Sequence, residues 1–212
     1  MNSATGRPAV SDRPPGNPFA TRFTRPGAIP PLDHRGQPLD LAPLVARLRD
    51  LGTASITGGH GHGKTTLLLA IADSLAAGGS VVRVLRVRGW SDAFAAWHAI
   101  RAAPSGSLVC VDGWDGLGPA RRPLAAAARS FERLLLVTSH RPAGLPLLRN
   151  CDTTAGLLAA IVARLPVAED RVTADEVAAA FRRAGGNLRD ALSDLYDRYE
   201  RAVATARRPA GG

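Results

Sequence analysis

Gly58-Gly59-His60-Gly61-His62-Gly63-Lys64-Thr65-Thr66 is the stretch on which the reading of this 212-residue chain turns. Gly58 and Gly63 bracket four residues and are followed by Lys64-Thr65, the phosphate-loop pattern, which needs a strand before it and a helix after it. Residues 54–57 read as a short strand. From residue 65 to about 77, Leu, Ile and Ala recur without a breaker until Gly78-Gly79. Gly58, Gly59, Gly61 and Gly63 let backbone N–H groups wrap phosphates, and the following helix N-terminus adds a favourable dipole. In that cradle Lys64 is expected to reach the β- and γ-phosphates, the Thr65 hydroxyl to ligate Mg²⁺, and Thr66 to line the phosphate end. His60 and His62 hold the variable loop positions, which usually point outward, and no further His or Cys near them completes a metal set. The ligand implied is a nucleoside triphosphate, ATP or its product ADP, with Mg²⁺.

Composition singles out the same place. Lys and Arg together number 27, yet Lys64 is the single lysine. Codon preference accounts for the arginines elsewhere but not for the survivor. A guanidinium is a wide planar fork, whereas an ammonium is a compact charge that fits among backbone N–H groups beside a phosphate.

Outward from the loop, strands and helices alternate. Residues 81–87 alternate Val or Leu with Arg, the period of a strand with one exposed face. Ser91 is placed to cap a helix running to about residue 103. Residues 107–111 form a continuous apolar strand ending in Asp112, and 134–137 another, ending in Thr138 and Ser139, with a helix over 123–130 between them. Residues 147–152 read as a last strand. This βαβα order predicts an α/β P-loop NTPase fold, a parallel sheet sandwiched by helices with ligands at the carboxyl ends of the strands. Three further helices, over 154–165, 174–184 and 187 to about 204, are parted by Pro166 and Gly185-Gly186 and suit a small C-terminal helical lid.

The expected organisation is a Pro/Arg-rich arm over 1–39, disordered to about 16; an ATPase core over 40–152; the lid over 153–207; and a disordered tail over 208–212. Within the arm, Phe19, Phe23 and Ile29 interrupt a turn-rich stretch and predict that it docks. A helix is expected from Asp40, where Leu41, Leu44, Val45 and Leu48 recur at helical spacing before Gly52.

Several residues outside the loop carry chemistry. Asp112 stands where an apolar strand delivers a carboxylate to the ligand edge, suited to holding Mg²⁺ through water. Thr138 or Ser139, and His140 after them, end the next strand, where they would face the γ-phosphate and orient an attacking water. Arg189 lies in the first turn of a helix that Asn187 is suited to cap. A cation there opposes the helix dipole unless an anion lies close, which hints at a phosphate contact.

Over roughly residues 40–200 these pieces resemble a small AAA+ ATPase of the origin-recognition and clamp-loader kind. The resemblance assigns Gly58, Gly63, Lys64 and Thr65 to Walker A, Asp112 to the Walker B aspartate, Thr138 or Ser139 to sensor 1, and Arg189 in GGNLRDAL to sensor 2. The opening NPFATRFTRPGAIP, residues 17–30, is also similar to short bacterial P-loop proteins of unassigned function. Two departures stand out. The family places a catalytic glutamate directly after the Walker B aspartate, where this chain has Gly113, which makes Asp115 the candidate water-orienting carboxylate and implies slow hydrolysis. The family also uses an arginine reaching into a neighbouring subunit, and here Arg141 and Arg149 lie in comparable places without a distinctive motif, so oligomerisation has no clear arginine finger behind it.

At 45% hydrophobic residues the chain suits an ordinary globular protein, and it has neither an apolar run long enough to span a membrane nor a secretory-type N-terminus; a cytoplasmic location is expected. Its two cysteines, Cys110 and Cys151, read as buried free thiols. The net charge of +9 suits a polyanion, although the arginines are spread over the whole chain. Three functions fit: an ATP-dependent switch or slow ATPase acting on a partner, a nucleotide-gated nucleic-acid-binding protein, and a small-molecule kinase.

Overall fold

The computed structural model describes residues 16–166 and 172–206. Disorder expected before residue 16 and after residue 207 falls, but for Gly16 itself, outside the described residues. Elements follow in the order α1 (Thr21–Thr24), α2 (Ala42–Leu51), β1 (Thr53–Gly58), α3 (Lys64–Ala77), β2 (Val82–Arg86), α4 (Ala93–Ala102), β3 (Leu108–Asp112), α5 (Arg121–Ser130), β4 (Leu134–Ser139), β5 (Leu147–Cys151), α6 (Ala155–Val162), α7 (Ala174–Arg183) and α8 (Leu188–Ala206). Short 3-10 segments, Trp90–Asp92 and Trp114–Ala120, precede α4 and α5.

The five strands form one parallel sheet in the order β2-β3-β4-β1-β5. Strand periodicity explains the two layers on it. On β3 and β4, Leu108, Cys110 and Leu136 pack with α2 and α3, while Val109, Val111, Leu135 and Val137 pack with α4 and α5. A strand buried on both faces has no polar positions to alternate, hence the continuous apolar runs in the sequence. Helix α3 turns Leu67, Leu68, Ile71, Ala72 and Leu75 inward at helical spacing. Burial pushes the Cys110 thiol up to about 12 and that of the half-buried Cys151 up to about 11.

The start of α4 differs from expectation. It begins at Ala93, and the carboxylate of Asp92, not the Ser91 hydroxyl, holds the entry by accepting from the N–H groups of Arg88 at 2.7 Å and Gly89 at 3.4 Å. A carboxylate at this point also favours the helix dipole. Before α5, Trp114 and Leu117 are fully buried and pin the 3-10 segment Trp114–Ala120 against the sheet.

A third apolar cluster joins α6, α7 and α8, and the arm docks on it. Phe19 is buried there, edge-on to Tyr199 with ring centroids 6.3 Å apart, and Phe23 and Ile29 pack beside it. The Asn17 amide donates to the Tyr196 carbonyl at 3.0 Å and to Glu200 at 2.9 Å, fixing the arm to α8. Farther on, the Thr154 hydroxyl, which also caps α6, donates to the His34 carbonyl at 2.7 Å. Removing the Phe19 ring leaves a hole that neither α8 nor the arm can fill, so Phe19→Ala should lower unfolding free energy by about 3–5 kcal/mol. Urea denaturation checks this, and an unshifted midpoint would mean that the arm contributes nothing to the helical cluster.

Candidate functional site

Because β4 lies between β1 and β3, three strand ends converge at one edge of the sheet. Strand β1 delivers the glycine-rich loop, β3 delivers Asp112, and β4 brings Thr138 between them. The register places Arg86 of β2 opposite Asp112 on the other side. These ends, the lid and the arm enclose a cleft of about 1180 Å³. Such a volume is ample for a nucleotide-sized ligand.

One carboxylate organises the floor of the cleft. Asp112 accepts from the Thr65 hydroxyl at 3.0 and 3.1 Å and from the Thr138 hydroxyl at 2.7 Å, and Arg86 Nε lies 3.5 Å from it. Thr138 in turn accepts from the Gly113 N–H at 2.9 Å. Arg86 escaped the sequence reading: the valine–arginine alternation marks the end of a strand, and only the register sets Arg86 beside Asp112. The hydroxyl and carboxylate pair is a hard-oxygen set of the kind that holds Mg²⁺ together with substrate phosphates.

Lys64 starts α3 and is nearly buried. Its ammonium donates to the carbonyls of Gly58 at 2.8 Å and Gly59 at 2.6 Å and sits 3.1 Å from His140 Nδ1. Burial pulls its pKa below the usual lysine value; Cys151, Asp112 and Asp115 oppose that, and Arg189 adds to it. The same neighbourhood acts on His140, which is lowered chiefly by burial and then by Lys64 and His60. An anion entering between Lys64 and Arg189 would relieve a repulsion that the fold builds in.

The two loop histidines depart from the outward-pointing expectation in different ways. His60 is exposed but stacks on His140, with ring centroids 3.8 Å apart. His62 folds back beneath the loop, its ring against Gly59 and its Nδ1 2.9 Å from the Cys151 carbonyl. A ring in that place braces the loop against β5, because a polar ring atom shielded from water needs a partner and the strand end supplies one.

Asp115 and Ser139 lie together, bonded to each other beside the cleft wall. The Ser139 hydroxyl donates toward Asp115 Oδ1 at 2.8 Å and toward the Arg141 carbonyl at 2.5 Å, and the His140 N–H donates to Asp115 Oδ2 at 2.6 Å. Neither residue lines the cleft, whereas Lys64, Thr65, Thr66, Asp112, Thr138 and Arg189 do. Of the two β4 hydroxyls left open by the sequence, Thr138 is therefore the one turned to Asp112.

The lid reaches the loop at the start of α8. Asn187 caps α8, its Oδ1 accepting from the N–H groups of Arg189 at 3.0 Å and Asp190 at 3.3 Å. Gly61, at φ +71°, passes so close that a Cβ there would overlap Asn187 Oδ1 and lie 3.2 Å from the Arg189 nitrogen. Glycine at 61 is thus demanded by the lid as well as by the loop.

Among the described residues, no helix is long and apolar enough to cross a membrane. No family model and no curated protein matches the chain. Solved structures do: two variants of RuvB from Thermotoga maritima are 19% and 17% identical to it, with TM-scores of 0.56 and 0.55, over 79% of this chain. The chain spans only 61% and 62% of the length of those two proteins.

Gly61→Ala should destabilise the protein by both backbone strain and the clash with Asn187, whereas Asn187→Gly alone should cost a few tenths of a kcal/mol. Combined, the two should cost less than their sum by about 1 kcal/mol, measured as a double-mutant cycle of unfolding free energies. Strict additivity would mean that the loop and lid do not touch. The parallel five-stranded sheet and its flanking helices are the fold that this chain shares with those RuvB structures.

Proposed function

We propose that this chain binds ATP with Mg²⁺ in the cleft between the phosphate loop and the lid, hydrolyses it slowly, and acts as a nucleotide-dependent switch on a partner. The observation that carries this reading is the meeting of Gly61 with the start of α8, which puts Arg189 into the same cleft as Lys64, Thr65 and Asp112. A ligand long enough to touch both the loop and Arg189 would couple the lid to its own phosphate count.

In this reading the N–H groups over Gly58–Gly63, with His60 and His62 shaping the loop, hold the phosphates. Lys64 exchanges the Gly58 and Gly59 carbonyls for phosphate oxygens, and Thr66 lines the phosphate end. Thr65 and Asp112 hold the metal, and Thr138 orients Asp112 from β4. Bound Mg²⁺ would supply neutralisation of phosphate charge. The docked arm and α8 contribute Ile29, Leu32 and Tyr196 to the far end of the cleft, where an apolar base fits. We assign Asp115 and Ser139 a positioning role, joining the exits of β3 and β4, with Asp115 acting on an attacking water only through that pair.

Slow hydrolysis has a physical reason. Gly113 has φ +95°, and a Cβ there would approach the Val87 carbonyl to 2.7 Å. No glutamate fits directly after Asp112 without moving β2. Gly113→Glu should therefore lower thermal stability and leave phosphate release unimproved; faster release by a variant that melts normally would show that the missing side chain alone limited the rate.

Lys64→Ala removes a charge-assisted contact of about 1.5–3 kcal/mol and should weaken ATP binding roughly ten- to a hundredfold. Asp112→Asn should abolish the dependence of binding on Mg²⁺. Arg189→Ala should erase most of an ATP-over-ADP preference while ADP binding persists. Calorimetric titration of each folded variant decides, and equal ATP and ADP affinities in the unaltered protein would reduce Arg189 to a structural residue.

A further inference from the structure

The α4 side of the sheet edge bears a feature that the nucleotide cleft does not use. Of the three tryptophans, Trp114 is buried, but Trp90 is 79% and Trp97 37% exposed, and Phe94 between them is 77% exposed. Aromatic rings are among the side chains a fold gains most by burying. Here helical geometry turns them out: Ala96, Ala99 and Ile100 take the inward face of α4, which leaves Phe94, Trp97 and Arg101 aligned on the outer one. Trp90, four residues before Phe94, continues the stripe through the 3-10 turn. Phe131 extends it sideways, edge-on to Trp97 with centroids 6.4 Å apart, and the Arg133 guanidinium lies 5.8 Å from the Phe131 centroid.

Charge on this face is mostly positive. Arg83, Arg88 and Arg101 are all exposed. Across residues 80–106 the sole carboxylate is Asp92, already engaged by the Arg88 and Gly89 N–H groups. Glu132, next to Phe131, accepts from the Ser105 hydroxyl at 2.8 Å. On the stripe itself every exposed large apolar side chain is aromatic, while Val81 and Val84, either side of Arg83, are exposed as well.

We infer that Trp90, Phe94 and Trp97, flanked by Arg83, Arg88 and Arg101, form a binding face for single-stranded nucleic acid. Flat rings stack on unpaired bases whatever their identity, and guanidinium groups between them meet the phosphates. A duplex hides its base faces from such rings. A second copy of this chain would bring two mostly positive faces together. None of the six residues lines the nucleotide cleft, so the inference stands apart from the ATP reading.

The test is fluorescence anisotropy of labelled 20-nucleotide dT and U strands at about 50 mM salt, with tryptophan emission followed in parallel. Saturable binding with quenching of tryptophan is expected for both strands. Trp90→Ala with Phe94→Ala should weaken it at least tenfold, with circular dichroism and ATP affinity unchanged. Should that pair not fold, Trp90→Ala alone, at the most exposed ring, should still weaken binding several-fold. Arg83→Gln with Arg101→Gln should flatten the slope of log affinity against log salt by about one to two. Absence of binding, equal affinity in the ring variants, or tighter binding of a 20-base-pair duplex would overturn the proposal. So would a dimer in the unaltered protein that the ring substitutions convert to monomer without loss of strand affinity. Loss of strand binding with ATP binding intact would support this face, and loss of ATP binding alone would concern the cleft.

Discussion

The hydroxyls of Thr65 and Thr138 both donate to one carboxylate, Asp112, and the arrangement of the sheet edge depends on that junction. It joins the first turn of α3 to the ends of β3 and β4, so the glycine-rich loop, which enters α3, is held in a fixed relation to the Thr65 and Asp112 oxygens. A carboxylate partly withdrawn from water needs such partners, since leaving its lone pairs unmatched would cost more than each bond returns. The parallel order β2-β3-β4-β1-β5 makes the junction possible by placing β4 between the other two strands. Arg86 and the Val87 N–H, which donates to the Asp112 carbonyl at 2.8 Å, extend it toward β2.

Two tight backbone passages then constrain what the site can be. At Gly61 the loop runs against the capped start of α8, and at Gly113 the exit of β3 runs against the Val87 carbonyl. The first keeps the lid beside the glycine-rich loop. The second forbids a bulky side chain after Asp112 and also ties that exit to the segment leading into Trp90. Glycine at 113 thus fits the close packing of the β3 exit against Val87.

Much of this was legible in the residues. Two continuous apolar runs over 107–111 and 134–137 declared buried parallel strands, the glycine-rich loop declared its own place between strand and helix, and Phe19, Phe23 and Ile29 declared a docked arm. Strand order was not legible, because neighbouring positions in a parallel sheet are set by packing across the fold and leave no local mark. That is also why Arg86 and the choice between Thr138 and Ser139 had to wait for the register. At the entry to α4 the Asp92 carboxylate, not the Ser91 hydroxyl, accepts from the Arg88 and Gly89 N–H groups, which only the turn brings together, and α4 itself has no side-chain cap. Similarly, His62 looked like a solvent-facing loop residue, since nothing in its neighbourhood along the chain announces the Cys151 carbonyl. The outward aromatic stripe is a matter of phase: Trp90, Phe94 and Trp97 have core-like chemistry, and only the inward placing of Ala96, Ala99 and Ile100 shows that they face away.

In the function proposed for this chain, the cleft takes ATP together with Mg²⁺. Isothermal titration calorimetry of the unaltered protein with ATP, run with Mg²⁺ and again with the metal chelated, tests it most directly. Saturable binding of one nucleotide per chain, weakened when the metal is removed, is the predicted result. No measurable heat in either titration, at protein concentrations that would register micromolar affinity and with the fold verified in the same sample, would contradict it.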